Sequence, residues 1–97
     1  MKYIIEQTES FANWHSTLRD LRAKSAIARR IERAENGNLG DTKSAGSGIS
    51  EMRIDVGAGY RVYFTIRSGL MVILLAGGDK STQQADINRA IKLANEV

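Results

Sequence analysis

The chain has 97 residues, with 14 lysines and arginines against 11 aspartates and glutamates (net charge +3), one histidine and no cysteine. That length suits one small domain, residues 1–97, near the lower end of what a single core can stabilise. The lack of cysteine excludes disulfides and thiolate metal centres, and one histidine argues against a histidine-rich metal site, so neither metal nor cofactor is expected.

Lys2 to Gln7 predicts a short strand. Thr8 is placed to cap a helix whose Phe11, Trp14, Leu18 and Leu21 recur at helical steps and form one apolar stripe. Asp20 starts a second helix that runs to about Glu35 and closes at Asn36-Gly37. Ile27, Ile31 and Ala34 share one face of it. Arg22, Arg29 and Arg33 lie nearly opposite, within about one-eighth of a turn of one another. Between Arg19 and Arg33 there are six basic residues and two acids. Such a stripe fits a polyanion, an acidic protein partner or an ordinary solvated face.

Asn36 to Gly48 holds four glycines and several small polar residues, and predicts a flexible loop carrying Lys43. Strict alternation follows. Ser50, Met52, Ile54 and Val56 point one way, and Glu51, Arg53 and Asp55 the other. Gly57-Ala58-Gly59 reads as a tight turn into a strand with Tyr60, Val62, Phe64 and Ile66 on one face and Arg61, Tyr63, Thr65 and Arg67 on the other. Ser68-Gly69 makes a hairpin into Leu70–Ala76. That run is the longest apolar one, too short to span a membrane, and its two apolar faces predict a central strand covered on both sides.

At its end, Gly77 and Gly78 suggest a turn. Asp79 and Lys80 follow, and Ser81 with Gln84 forms a capping box for a last helix with Ile87, Ala90, Ile91 and Ala94 on its inner stripe. The layout is β-α-α-β-β-β-α, an α+β domain built on an antiparallel meander, with a helical hairpin on one face and a C-terminal helix. Charge enters the opening Met1-Lys2-Tyr3-Ile4-Ile5-Glu6 too early for a secretory signal, so a soluble cytoplasmic protein is expected.

If Val56 faces Tyr60 across the turn, then Asp55 faces Arg61 and Arg53 faces Tyr63. That arrangement fits an Asp–Arg ion pair and an Arg–Tyr stack, or a shallow cationic platform on which guanidinium groups hold phosphate oxygens and tyrosine stacks on a base. His15 sits beside Trp14 on a helix, away from the glycine-rich loops, as a surface or packing residue does. Gly78-Asp79-Lys80-Ser81 fails the phosphate-loop motif, because its lysine does not follow a glycine. A cationic site lacking metal, cysteine and a placed histidine can still cleave RNA. The 2′-hydroxyl of the substrate is the nucleophile, and the protein has only to align it and stabilise the phosphorane charge.

Four blocks in order give the chain a family resemblance. They are Arg33 with Gly37-Asn38-Leu39-Gly40-Asp41-Thr42-Lys43; Gly48-Ile49-Ser50-Glu51-Met52-Arg53-Ile54; Gly59-Tyr60-Arg61-Val62-Tyr63-Phe64; and Leu75-Ala76-Gly77-Gly78-Asp79-Lys80 with Gln83 and Asp86-Ile87. The sequence resembles the RelE/ParE superfamily of toxins from type II toxin–antitoxin modules, in its HigB-like "addiction module killer protein" branch, from Trp14 to Ala90. The resemblance implies a basic toxin neutralised by a cognate antitoxin of helix-turn-helix type, with operator DNA bound only through that antitoxin. HigB- and RelE-like members cut mRNA in the ribosomal A site without metal, whereas ParE-like members poison DNA gyrase. By resemblance, Arg53, Arg61 and Tyr63 lie on the active face of the sheet, with Arg61 the foremost phosphate ligand. Lys43 approaches from the preceding loop, and Lys80 from the end of the last strand. Asp79 orients Lys80 or caps the last helix. The Arg22/Arg29/Arg33 stripe meets ribosomal RNA, an acidic antitoxin segment or solvent. The chain departs from ribosome-dependent relatives that place a histidine in the site, which leaves the general acid and base open, with Tyr63 or Lys80 able to act only on a favourably shifted pKa.

Overall fold

A computed structural model describes residues 2–97. The chain runs β1 (Ile4–Gln7), α1 (Glu9–Ser16), α2 (Leu21–Glu35), β2 (Thr42–Gly46), β3 (Ile49–Ile54), β4 (Tyr60–Arg67), β5 (Met71–Asp79), a single 3-10 turn (Lys80–Thr82) and α3 (Gln83–Glu96). The five strands lie in the order β1-β5-β4-β3-β2. β1 pairs parallel to β5, and the other neighbours are antiparallel. No helix among the described residues is long and apolar enough to cross a membrane.

The sheet is covered on both faces because the strands alternate apolar side chains to both sides. On one face Met52, Ile54, Val62, Phe64, Val72 and Leu74 meet Phe11, Ile27 and Ala34 of α1 and α2. On the other, Ile49, Tyr63, Ile73, Leu75 and Ala76 meet Ala90 of α3. β5 supplies both clusters, as its unbroken apolar run predicts. The helix starts are set by side chains: Thr8 accepts from the Phe11 amide and also donates to the Leu75 carbonyl at 2.7 Å. Asp20 accepts from the Ala23 amide at 3.1 Å. Both satisfy donors that a helix leaves free at its first turn.

The structure differs from the sequence reading in five places. First, the segment expected to be a flexible loop contains β2, an edge strand of small polar residues paired to β3 with a bulge between Ser44 and Gly46. Exposed edge strands tolerate polar composition, which hides them from a hydrophobicity pattern. Second, the β3–β4 connection runs from Asp55 to Gly59, so Ile54 faces Tyr60 and Arg53 faces Arg61. Backbone bonds from the Val56 amide to Ile54 and from the Gly59 amide to Val56 fold Asp55 and Val56 into the turn. Third, α1 stops at Ser16; Leu18 lies in the connection and Leu21 is 72% exposed.

Fourth, Gly77 and Gly78 do not turn. They continue β5, pairing with Val62 and Arg61. A Cβ at Gly77 would lie 2.2 Å from the Trp14 ring, and one at Gly78 would lie 1.8 Å from Asp86 Oδ2. The glycines let α1 and α3 close onto opposite faces of the strand, a need for space rather than for unusual dihedral angles. Fifth, the Ser81/Gln84 capping box is not formed. Asp79 Oδ1 accepts from the Ser81 amide at 2.8 Å and from the Ser81 hydroxyl at 2.5 Å. Asp79 thus caps the 3-10 turn ahead of α3.

Candidate functional site

β3 and β4 carry the residues that face α3. Two rows cross the sheet: Lys43–Glu51–Tyr63–Ala76, and Arg53–Arg61–Gly78. The period of two along each strand puts both rows on one face, where α3 packs mainly over β5 and β4 and reaches Ile49 of β3. Arg61 is 6% exposed, and its guanidinium donates to the Tyr60 carbonyl at 3.0 Å. Its Nε lies 3.2 Å from Glu51 Oε2, which is also 3.8 Å from Arg53 Nε. Two guanidinium groups opposite each other repel, and the carboxylate between them offsets that repulsion.

Tyr63 is fully buried. Its phenol is pushed up to about 12, first by burial and then by the negative charges of Glu51 and Asp86, with Arg61 opposing. The Tyr63 ring is therefore closed to a stacking base, which leaves it out of the platform that was one of the two arrangements open from sequence. A phenol titrating near 12 is also a poor proton acceptor at neutral pH. A spectrophotometric titration is expected to show one of the three tyrosines ionising only near pH 12, a step missing from Tyr63→Phe. Between the unfolded tyrosine value of about 10 and the folded one, the unfolded state loses the proton first, so stability falls as pH rises through that window. Thermal unfolding between pH 9 and 12 checks the sign.

Arg53 is half-buried at the rim of this face, and Lys43 is exposed on edge strand β2 opposite Glu51. Lys80 is exposed, with its side-chain carbons over Gly59, where a Cβ would lie 2.7 Å from Lys80 Cε. This places Lys80 by the turn that leads into Arg61. Asp79 is held below the ordinary carboxylate range by the Ser81 hydroxyl and then by the Ser81 amide. It serves the cap rather than Lys80.

Arg22, Arg29 and Arg33 are not brought to this face. They sit on α2, which covers the opposite side of the sheet, and line two adjoining hollows of about 300 and 350 Å³ with Ala26, Ile54 and Val56. His15 is occupied in packing: it stacks on Phe11 at 5.8 Å, and its Nε2 lies 3.0 Å from the Lys24 carbonyl.

Three polar residues were missed by the sequence reading. Glu51, which shares a face with Arg53 by simple alternation, was hidden by the assumed register, which gave Arg61 the wrong acid. Asp86 is 4% exposed and accepts from the Thr82 hydroxyl at 2.6 Å, while pairing with Arg89. Its recurrence three residues before Arg89 was the available signal. Arg30 donates to the carbonyls of Leu39 and Asp41, both at 3.1 Å, and to that of Arg53. It ties α2 to the loop before β2 and to β3. Burial, then Arg33, lowers its pKa from the ordinary value, although an arginine keeps its charge under such a shift.

The architecture has a solved counterpart. A double arginine-to-alanine mutant of the E. coli toxin RelE, in the free state, matches with a TM-score of 0.73 at 16% identity, covering 95% of this chain and 97% of that one. An uncharacterized protein of Haemophilus influenzae is 54% identical over 93 residues, 96% of this chain and 94% of its own length. Residues 16–97, which hold α2, all of β2 to β5 and α3, match the phage-derived Gp49-like proteins (DUF891), and the chain belongs to that family.

Proposed function

We propose that residues 1–97 form the toxin of a type II toxin–antitoxin module of the HigB-like branch, a ribosome-dependent mRNA endoribonuclease acting in the cytoplasm. The observation that carries this reading is the facing pair Arg53 and Arg61, mounted on two rigid strands with Lys43 beside them. In the proposed reaction the substrate 2′-hydroxyl attacks the adjacent phosphorus. The bond to the 5′-oxygen of the next nucleotide breaks, leaving a 2′,3′-cyclic phosphate and a 5′-hydroxyl. Arg61 and Arg53 bind the non-bridging oxygens, and their hold strengthens as charge builds on the phosphorane. Lys43 guides the RNA backbone along the edge strand, and Lys80 approaches from the turn at Gly59. Tyr63, enclosed under α3, shapes the floor without touching RNA. The arginines of α2 serve a separate contact, either with ribosomal RNA or with an acidic segment of the antitoxin.

Primer extension on a defined mRNA held in purified ribosomes tests the reading. New 5′ ends inside the A-site codon, absent without ribosomes, are expected. Intact mRNA in the presence of folded protein that is toxic in cells would overturn it. If cleaved DNA and an SOS-type response accompanied that toxicity, the gyrase poison would take its place.

A further inference from the structure

Four buried polar atoms on the α3 face have no hydrogen-bond partner among the described residues: Glu51 Oε2, Arg53 Nε, Arg61 Nε and the Tyr63 hydroxyl. They belong to one cluster. Glu51 Oε2 is within 3.2 Å of Arg61 Nε, close enough for a hydrogen bond yet not aligned for one, and 3.8 Å from Arg53 Nε. A buried ion pair that served stability alone would need its donors and acceptors matched, because unmatched ones lose hydration without recompense. Here two guanidinium groups share one carboxylate, and each Nε–H remains without a bond.

We propose that Glu51 is a resident counter-ion: it holds Arg53 and Arg61 together while the face is empty, and gives way when an RNA phosphate enters. This inference rests on reading the face as an RNA site, and adds that Glu51 sets a threshold for binding. A phosphodiester carries one negative charge and cannot reach both guanidinium groups without repulsion from the carboxylate. Free RNA pays that penalty in full. RNA already held in place by the ribosome arrives at high effective concentration and overcomes it. Glu51 thereby disfavours free RNA while keeping the arginines positioned for presented RNA.

The test is fluorescence anisotropy with a labelled 2′-O-methyl hexanucleotide, which cannot be cleaved because its 2′-oxygens are blocked. Glu51→Gln is expected to bind it about tenfold or more tightly than wild type at low salt, since one repelling charge at contact range is removed. The logarithmic salt dependence of binding should steepen by about one unit. The gain should vanish in Glu51→Gln/Arg61→Ala. Equal or weaker binding by a folded Glu51→Gln protein overturns the proposal, as does failure of both proteins to bind the probe.

A measurement on wild type guards against misfolding of the variant. With saturating probe, the NMR signals of the Glu51 carboxyl carbon and the Arg61 Nε are both expected to move, and an unmoved Glu51 signal overturns the proposal. Tighter probe binding by the variant, with no cutting of ribosome-held mRNA by wild type, would sink the nuclease reading alone. Ribosomal cutting by wild type with unchanged probe binding would sink the counter-ion alone.

Discussion

Arg61→Ala is expected to slow ribosome-dependent cleavage by about 10²–10³-fold, the usual loss when one oriented transition-state donor is removed. Arg61 is the more deeply buried of the two facing arginines, at 7% side-chain exposure against 34% for Arg53, so its guanidinium is the better shielded from water and salt. A lysine in its place keeps the charge but loses the planar fork, and should recover only part of the rate. The alanine variant also leaves Glu51 with Arg53 as its one ion-pair partner among the described residues, so its unfolding temperature must be measured beside its activity. Cleavage rates from primer extension, taken where the variant is folded, separate the two effects. A folded Arg61→Ala protein that cuts at the wild-type rate would remove Arg61 from the mechanism.

Gly77→Ala is expected to cost about 3 kcal/mol, at the upper end of ordinary overpacking, because the added methyl meets a rigid indole rather than a flexible chain end. The 2.2 Å approach to Trp14 leaves no room without moving α1 away from β5. For a domain of this size each kcal/mol shifts the melting temperature by roughly 4–8 °C, so the variant should melt more than ten degrees lower. Thermal unfolding followed by circular dichroism measures it. A melting temperature within two or three degrees of wild type would mean that Trp14 swings aside and that its seat on Gly77 is not a fixed contact. Trp14→Leu in the Gly77→Ala background should restore much of the loss, since the smaller side chain removes the collision.

The elements that obey a strong period were legible from sequence. α2 was bounded correctly by Asp20 and Asn36-Gly37, because a capping acid and a left-handed glycine are local signals. The two-faced burial of β5 followed from its unbroken apolar run. β2 was not legible, because its small polar residues are held by pairing with β3 rather than by any pattern of their own. The register of β3 on β4 depended on the length of a turn in which Val56 reads as strand yet folds back. The resulting slip of two residues leaves every side chain on its own face and changes only its opposite partner. The face carrying Arg53, Arg61 and Tyr63 was therefore recognisable, while the acid beside Arg61 was misassigned from Glu51 to Asp55. Burial of Tyr63 depends on α3 crossing the sheet at Gly78 and Asp86, a tertiary contact that strand alternation does not encode. The partner of the α2 arginines was left open between ribosomal RNA, an acidic antitoxin segment and solvent, because charge alone does not say what a helix face meets.

The three carbonyls that receive the Arg30 guanidinium are all uncharged. Ionic strength that screens a guanidinium from a phosphate acts weakly on so short a bond to a neutral oxygen. The hydrogen bonds that join α2, the loop before β2 and the strand bearing Arg53 thus depend on salt less than the proposed contact of Arg53 and Arg61 with an RNA phosphate would. If the face binds RNA as proposed, nucleic acid carried along from a cell extract is expected to be stripped in concentrated salt while the frame that positions Arg53 stays assembled, ready to bind again on dilution.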